Sequence, residues 1–244
     1  MPKSKITLST YGDTDVGIMR PDNEDYFLLN DDLRVYAVAD GLGGLPHGDI
    51  ASQLAIESFE ELLEKKREKL SLPDLKKLFI QVNEIVHNEG MRINEELGMR
   101  STLTATLIDG DNLIIGHVGD TGVLLLKKNG SFHKLTQDHT MAQEILDTLP
   151  EGEHRELPDY YYHSLTRCIG QYGRLDADVD RITLEPGDRI LLYSDGVTKT
   201  FEDDELINAI NTEPNPEELV EHIIDTARER GGPDNCTAIA IFVS

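Results

Sequence analysis

Short unbroken apolar runs alternate along this chain with longer stretches of helical spacing. The run VYAVADGLGG, Val35 to Gly44, carries no helical spacing and predicts a buried strand over Val35–Ala39 that ends in a glycine-rich turn. Ile6–Ser9 and Tyr26–Leu29 predict two earlier strands. Leu54, Ala55, Phe59, Leu62 and Leu63 recur at helical spacing and predict a helix over 49–69. A second helix is expected from Asp74 to Leu97, with Leu75, Leu78, Phe79, Val82, Ile85, Val86 and Ile93 as its apolar positions and Ser71 and Pro73 suited to its start. From Thr102 the runs TLTATLID, NLIIGHV, GVLLLKK and SFHKL, split by turn chemistries, predict an antiparallel meander. Residues 137–165 are polar and irregular, an excursion from the sheet with a short helix at Met141–Leu146. Strands follow at Val179–Leu184 and Arg189–Tyr193, then helices at 203–210 and 216–229, then a last strand at Cys236–Val243. Strand blocks with helical pairs between them predict an α+β fold with antiparallel sheet. No fixed-period repeat or low-complexity linker divides the chain, so residues 1–244 are expected to form one domain.

Composition narrows the function. The formal net charge of −23 leaves no surplus for the basic face that a nucleic-acid binder needs. Most of the acids serve solubility, and a minority can collect metal ions. No run approaches the ~18 apolar residues of a membrane span, and MPKSKITLST has no apolar stretch of signal-peptide length. The expectation is a cytoplasmic protein that binds no membrane. Cys168 and Cys236 are expected to be reduced thiols.

The candidate chemistry lies at strand ends. Asp40 closes one apolar run, Asp120 follows IIGHVG, Asp195 follows RILLYS, and Asp234 with Asn235 precedes the last strand. One such aspartate is usually a turn residue. Four of them, three followed closely by glycine, suggest ligands held on rigid ends. Clustered carboxylates repel unless cations intervene, and hard divalent cations take oxygen ligands. A backbone carbonyl at Gly41 can approach a metal closely, although the glycines serve a turn equally well. Arg20, in GIMRPDNEDYF, is either a phosphate fork or an ordinary surface partner of Asp22 or Glu24.

Taken in order, several motifs resemble the metal-dependent Ser/Thr protein phosphatases of type 2C, the PPM family, in its bacterial branch. They are RPDNED at 20–25, ADGLGG at 39–44, STLTAT at 101–106, HVGD at 117–120, LTQDH at 135–139, LTRCIG at 165–170, SDG at 194–196 and PDNCT at 233–237. The resemblance implies a central antiparallel β-sandwich flanked by helices on both faces, a four-layer αββα arrangement. It implies hydrolysis of phosphoserine and phosphothreonine in proteins by a hydroxide bridging two Mn²⁺ or Mg²⁺ ions, without a phosphoenzyme. Asp40 would bridge the ions, Asp195 and Asp234 would complete one site, and the Gly41 carbonyl would serve the other. Glu24 and Asp25 would act through metal-bound waters, with Asn235 behind them. Asp120 with Asp195 matches a third, weaker metal site, and Arg20 would hold the substrate phosphate. Residues 138–165 would form a flap near the cleft. A monomer acting on phosphorylated proteins opposite a cognate Ser/Thr kinase is the family expectation.

Three positions depart from the family pattern. Leu42 stands where some relatives carry a histidine general acid, and nearby His47 is expected to be structural or superficial. Gly122 replaces an arginine, and the flap carries LPDYYYHSL, whose tyrosines are expected to anchor it. Two rivals remain. Cys168 to Arg174 satisfies the C-x5-R phosphate loop of cysteine-dependent phosphatases, although Leu175 follows where Ser or Thr is usual. A catalytically silent metal- or phosphoprotein-binding module is the other; the aspartate at every principal ligand position argues against it.

Overall fold

The computed structural model describes residues 6–66, 70–150, 152–153 and 155–244. Among the described residues, ten strands form two five-stranded sheets in which every pairing is antiparallel. The first sheet has the order β2 (Asp25–Asn30), β3 (Val35–Asp40), β4 (Leu103–Asp109), β5 (Asn112–Val118), β8 (Asp178–Thr183). The second has the order β1 (Leu8–Asp15), β10 (Cys236–Val243), β9 (Arg189–Tyr193), β6 (Gly122–Leu126), β7 (Phe132–Lys134).

Alternation along the strands builds the layers. On β3, Tyr36 and Val38 enter the core between the sheets, while Val35, Ala37 and Ala39 pack under α1 (Gly48–Lys65) and α2 (Leu72–Ile93). On β10, Ile239, Ile241 and Val243 face the other sheet. Ala238, Ala240 and Phe242 face the layer of α5 (Asp203–Thr212) and α6 (Pro216–Glu229). Both faces of each sheet are therefore covered, which is why these strands read as continuous apolar runs rather than polar–apolar alternation. The four-layer αββα expectation holds.

Local signals fixed the helix starts. The Ser71 side chain accepts from the Asp74 N–H and Asn215 accepts from the Glu218 N–H, with proline in the first turn of each helix. α2 buries Leu75, Leu78, Phe79, Val82 and Val86, but Ile85 and Ile93 are exposed, contrary to expectation. It ends at Ile93 rather than Leu97, and α1 ends at Lys65; 67–69 of its expected tail lie outside the described residues.

The expected meander is corrected. β4 and β5 form a hairpin, but β6 leaves for the second sheet and pairs with β9 and β7. A turn of Gly119, Asp120 and Thr121 carries the chain between the layers, so local turn signals did not mark an unbroken sheet. β1 runs on to Asp15 through a polar segment, because β10 supplies its hydrogen-bonding partner along the whole length. Among the described residues, no helix is long and apolar enough to cross a membrane.

Candidate metal centre and active site

Antiparallel pairing brings the end of one strand beside the start of its neighbour, and this gathers the acids at one edge of the sandwich. Asp25, first in β2, lies opposite Asp40, last in β3. In the other sheet, Ser194 after β9 pairs through its N–H with Thr237 at the start of β10 (3.0 Å), which sets Asp195 beside Asp234. The two edges are joined by Asp25. Its Oδ2 accepts hydrogen bonds from the Ser194 and Thr237 hydroxyls, both at 2.6 Å. Its Oδ1 is buried with no hydrogen-bond partner.

Asp40 is held through its backbone. Its N–H donates to Thr102 Oγ1 (2.8 Å), and its carbonyl accepts from the Ser101 hydroxyl (2.9 Å) and the Thr102 N–H (2.8 Å). Gly41 donates to the Glu24 carbonyl (2.9 Å). A Cβ at Gly41 would lie 2.2 Å from the Gly48 carbonyl oxygen, so only glycine permits this approach of the turn to α1. Asn235 stitches the opposite side. Its Oδ1 accepts from the Glu24 N–H (2.8 Å), and its amide donates to the carbonyls of Val16 (2.8 Å) and Asp22 (3.0 Å).

Arg20 grips Asp234 with two bonds, Nε to Oδ1 at 2.8 Å and Nη2 to Oδ2 at 2.9 Å. The fork is not spent on Asp22 or Glu24, and it lies against the glycine turn: Nη1 is 3.0 Å from where a Gly43 Cβ would stand. Lys199 Nζ lies 2.5 Å from both Asp195 Oδ2 and Asp234 Oδ2. Asp120 and Asp195 share the wall of a cavity of about 450 Å³ with Asp138, Tyr162, His163 and Lys199. All the principal expected site residues, Arg20, Asp40, Gly41, Asp120, Asp195 and Asp234, thus meet at one edge, with Glu24, Asp25 and Asn235 among them.

Charge in this cluster is strained. Burial first, and the neighbouring carboxylates next, hold Asp40 well above the ordinary carboxylate range. Burial pushes Asp25 up to about 7 against the pull of its two hydroxyl donors, and pushes Asp120 up to about 8 with help from Asp195. Asp195 is raised by burial despite Lys199. Asp234 alone is lowered, because Lys199 and Arg20 together outweigh its burial. A buried oxygen without a donor and several carboxylates that resist ionisation together are what a cation site of hard oxygen ligands requires. The donor set therefore fits divalent metal. Among the described residues, however, no three His, Cys, Asp or Glu side chains are already arranged as a metal cage.

Buried histidines support the Asp120 turn. His117 Nε2 donates to the Gln137 carbonyl (3.0 Å), and its Nδ1 accepts from the Thr104 hydroxyl (2.8 Å). His139 stacks on it at 4.6 Å, accepts from the Gly119 N–H at Nδ1 (3.1 Å) and donates to Asp178 at Nε2 (3.2 Å). The flap excursion leaves and rejoins the body here, where Thr140 bridges Leu165. Sequence reasoning gave no role to Ser194, Thr237, Thr102, His117 or His139, although each sits inside a motif already noted. Lys199 carried no signal.

Several expectations are resolved. A Cβ at Gly122 would lie 2.3 Å from the Tyr193 hydroxyl, so the ring of Tyr193 occupies the space beside this glycine. Exposed His47 caps α1 in the left-handed region, φ 67°. Tyr160 and Tyr162 are exposed, so of the three flap tyrosines only half-buried Tyr161 is placed to anchor. The cysteine rival fails. Cys168 is buried, burial raises its thiol pKa, Arg174 is exposed, and no helix follows to present backbone N–H groups to phosphate.

An acidic, arginine-bearing edge on a β-sandwich suits metal-dependent phosphoryl chemistry. The sequence profile of protein phosphatase 2C matches residues 16–234. The chain belongs to that family, and it is a metal-dependent Ser/Thr phosphatase. It is 29% identical to the serine/threonine phosphatase Stp of Listeria monocytogenes over 238 residues, 93% of each chain. PppA of Pseudomonas aeruginosa, described as a regulatory component of its T6SS, superposes with a TM-score of 0.81 at 28% identity, covering 97% of this chain and 98% of that one. The catalytic domain of the Mycobacterium tuberculosis phosphatase PstP, solved with two manganese ions, gives a TM-score of 0.83 at 29% identity, covering 98% of this chain and 99% of that one.

Proposed function

We propose that the acidic edge is the catalytic centre and that its residues divide the work as follows. Asp40, Asp195, Asp234 and the Gly41 carbonyl would hold the two principal divalent ions, Glu24 and Asp25 would support them from behind, and Asp120 with Asp195 would hold a third. When bound, the ions supply an activated water and neutralise charge on the phosphoryl group. Arg20 orients the phosphate and neutralises its oxygens. Ser194 and Thr237 hold Asp25, Asn235 holds the Glu24 backbone, and Thr102 holds Asp40, so the carboxylates meet the ions without rearranging the strands.

The observation that carries this reading is the meeting of Asp25, Asp40, Asp195 and Asp234 with a forked Arg20 at one edge. Residues 1–244 act as one catalytic domain, with 138–165 as the flap beside the cleft. The substrates are phosphorylated proteins in the cytoplasm, a Ser/Thr kinase is the opposing enzyme, and the chain works as a monomer. Release of phosphate from phosphoserine and phosphothreonine peptides tests the assignment. Activity should need Mn²⁺ or Mg²⁺, stop with chelator, and be lost in Asp40→Asn. Full activity in chelator would defeat it.

A further inference from the structure

Lys199 follows α4 (Asp195–Thr198), and its N–H donates to the Asp195 carbonyl at 2.9 Å. One helical turn thus lays its side chain back over Asp195, the usual geometry of residues four apart. The ammonium does more than make that local pair. It spans Asp195 and Asp234, residues from different segments, at 2.5 Å from each, and all three side chains are largely covered: 26%, 17% and 12% exposed. Asp234 also accepts from Arg20 at both oxygens and from the Asn235 N–H at Oδ1 (3.0 Å).

We propose that Lys199 is a tethered competitor for the metal. The inference rests on the assignment of Asp195 and Asp234 as partners in one metal site. The ammonium holds the two carboxylates assigned to the ion, and like charges so close in a shielded edge repel strongly. Metal binding is then an exchange in which Lys199 leaves. Because the lysine is attached to the site, its effective concentration is fixed and high, and the ion has to outcompete it. The flexible four-carbon stem lets it go. The adjoining cavity, lined by Asp120, Asp138 and Asp159, gives the displaced ammonium an acidic wall to face. Lys199 therefore sets the metal concentration at which the enzyme switches on, and it steadies the metal-free protein by neutralising two of its crowded carboxylates.

Calorimetric titration of Mn²⁺ into the metal-free chain tests this, with Lys199→Met and Asp40→Asn beside the wild type. Lys199→Met should bind Mn²⁺ about tenfold tighter or more, and should melt at a lower temperature in chelator. Asp40→Asn should lose binding. Unchanged or weaker binding in Lys199→Met, with binding lost in Asp40→Asn, overturns the competitor role and leaves the site assignment standing. Wild-type binding in both variants overturns the assignment itself. The wild-type chain offers a second readout that needs no variant to fold. The Lys199 ammonium resonance should be protected in the metal-free protein and be lost as Mg²⁺ is added; protection that persists at saturating Mg²⁺ overturns the proposal.

Discussion

Asp25 and Asp40 stand opposite one another across the β2–β3 pair, two carboxylates in direct register at the end of a buried strand. Like charges so placed destabilise a sheet. Asp25 is nearly inaccessible, and its Oδ1 has no donor. The fold thus carries an electrostatic cost at its active edge that metal is suited to offset. Asp25→Asn should raise the stability of the metal-free protein at pH 8, where burial opposes the ionised carboxylate, and weaken Mn²⁺ binding. Denaturant melts in chelator and Mn²⁺ titrations read the two effects; a less stable metal-free variant would mean that Asp25 is structural.

The raised carboxylates give metal binding a pH dependence of definite sign. Asp25 at about 7 and Asp120 at about 8 hold protons in the folded state that the unfolded chain has already released. Their contribution to metal-free stability is therefore full at low pH and falls away as pH rises from about 4 to 8. Metal must displace those protons. The rise in melting temperature on adding Mn²⁺ should be larger at pH 8 than at pH 6, measured by calorimetry with and without chelator. An equal rise at both would contradict protonated carboxylates in the site.

Arg20 and the metal ligands should separate in kinetics. Arg20→Ala should raise KM for a phosphothreonine peptide by roughly tenfold or more, the loss of a charge-assisted phosphate contact. Mn²⁺ affinity should stay within about threefold, because the Asn235 N–H still holds Asp234 in place. A parallel loss of both would make Arg20 a prop for Asp234 rather than a substrate group.

Gly41 is a packing constraint that can be tested directly. Gly41→Ala drives a methyl group into the Gly48 carbonyl at the start of α1. The backbone has to move, which costs about 1–3 kcal/mol and displaces the carbonyl assigned to a metal. Lower stability together with weaker Mn²⁺ binding is expected; wild-type values for both would show that the turn has slack.

His117 should stay neutral across the physiological range. Burial, then the neighbouring His139, lowers its pKa to about 3. Its stabilising contribution is full above the ordinary histidine value near 6.5 and is lost as pH falls towards 3, with a slope of up to about 1.4 kcal/mol per pH unit. An NMR titration of the ring should find no protonation between pH 5 and 8. A midpoint near 6.5 would mean that the Thr104–His117–Gln137 bridge opens readily.

Much of the fold was legible because the strands are short and covered on both faces. Apolar runs such as Val35–Ala39 and Cys236–Val243 can satisfy their side chains only in a buried sheet. The helix starts at Ser71 and Asn215 were equally local, since a cap and its first turn lie within four residues. The polar half of β1 was hidden, because its order comes from β10, more than two hundred residues away.

The sequence by itself determined that aspartates would stand at the ends of buried strands, since covalent order joins Asp40 to its apolar run and Asp195 to its own. It also carried the ordered motifs that pointed to the family. Only the tertiary structure decided that β6 joins the second sheet, that Thr237 reaches Asp25 across 212 residues, and that Lys199 spans Asp195 and Asp234. The reason is physical. Local periodicity says which face of a strand is buried, but not which partner covers it. A charge's neighbours are chosen by the packing of distant segments, and no short stretch of sequence contains them.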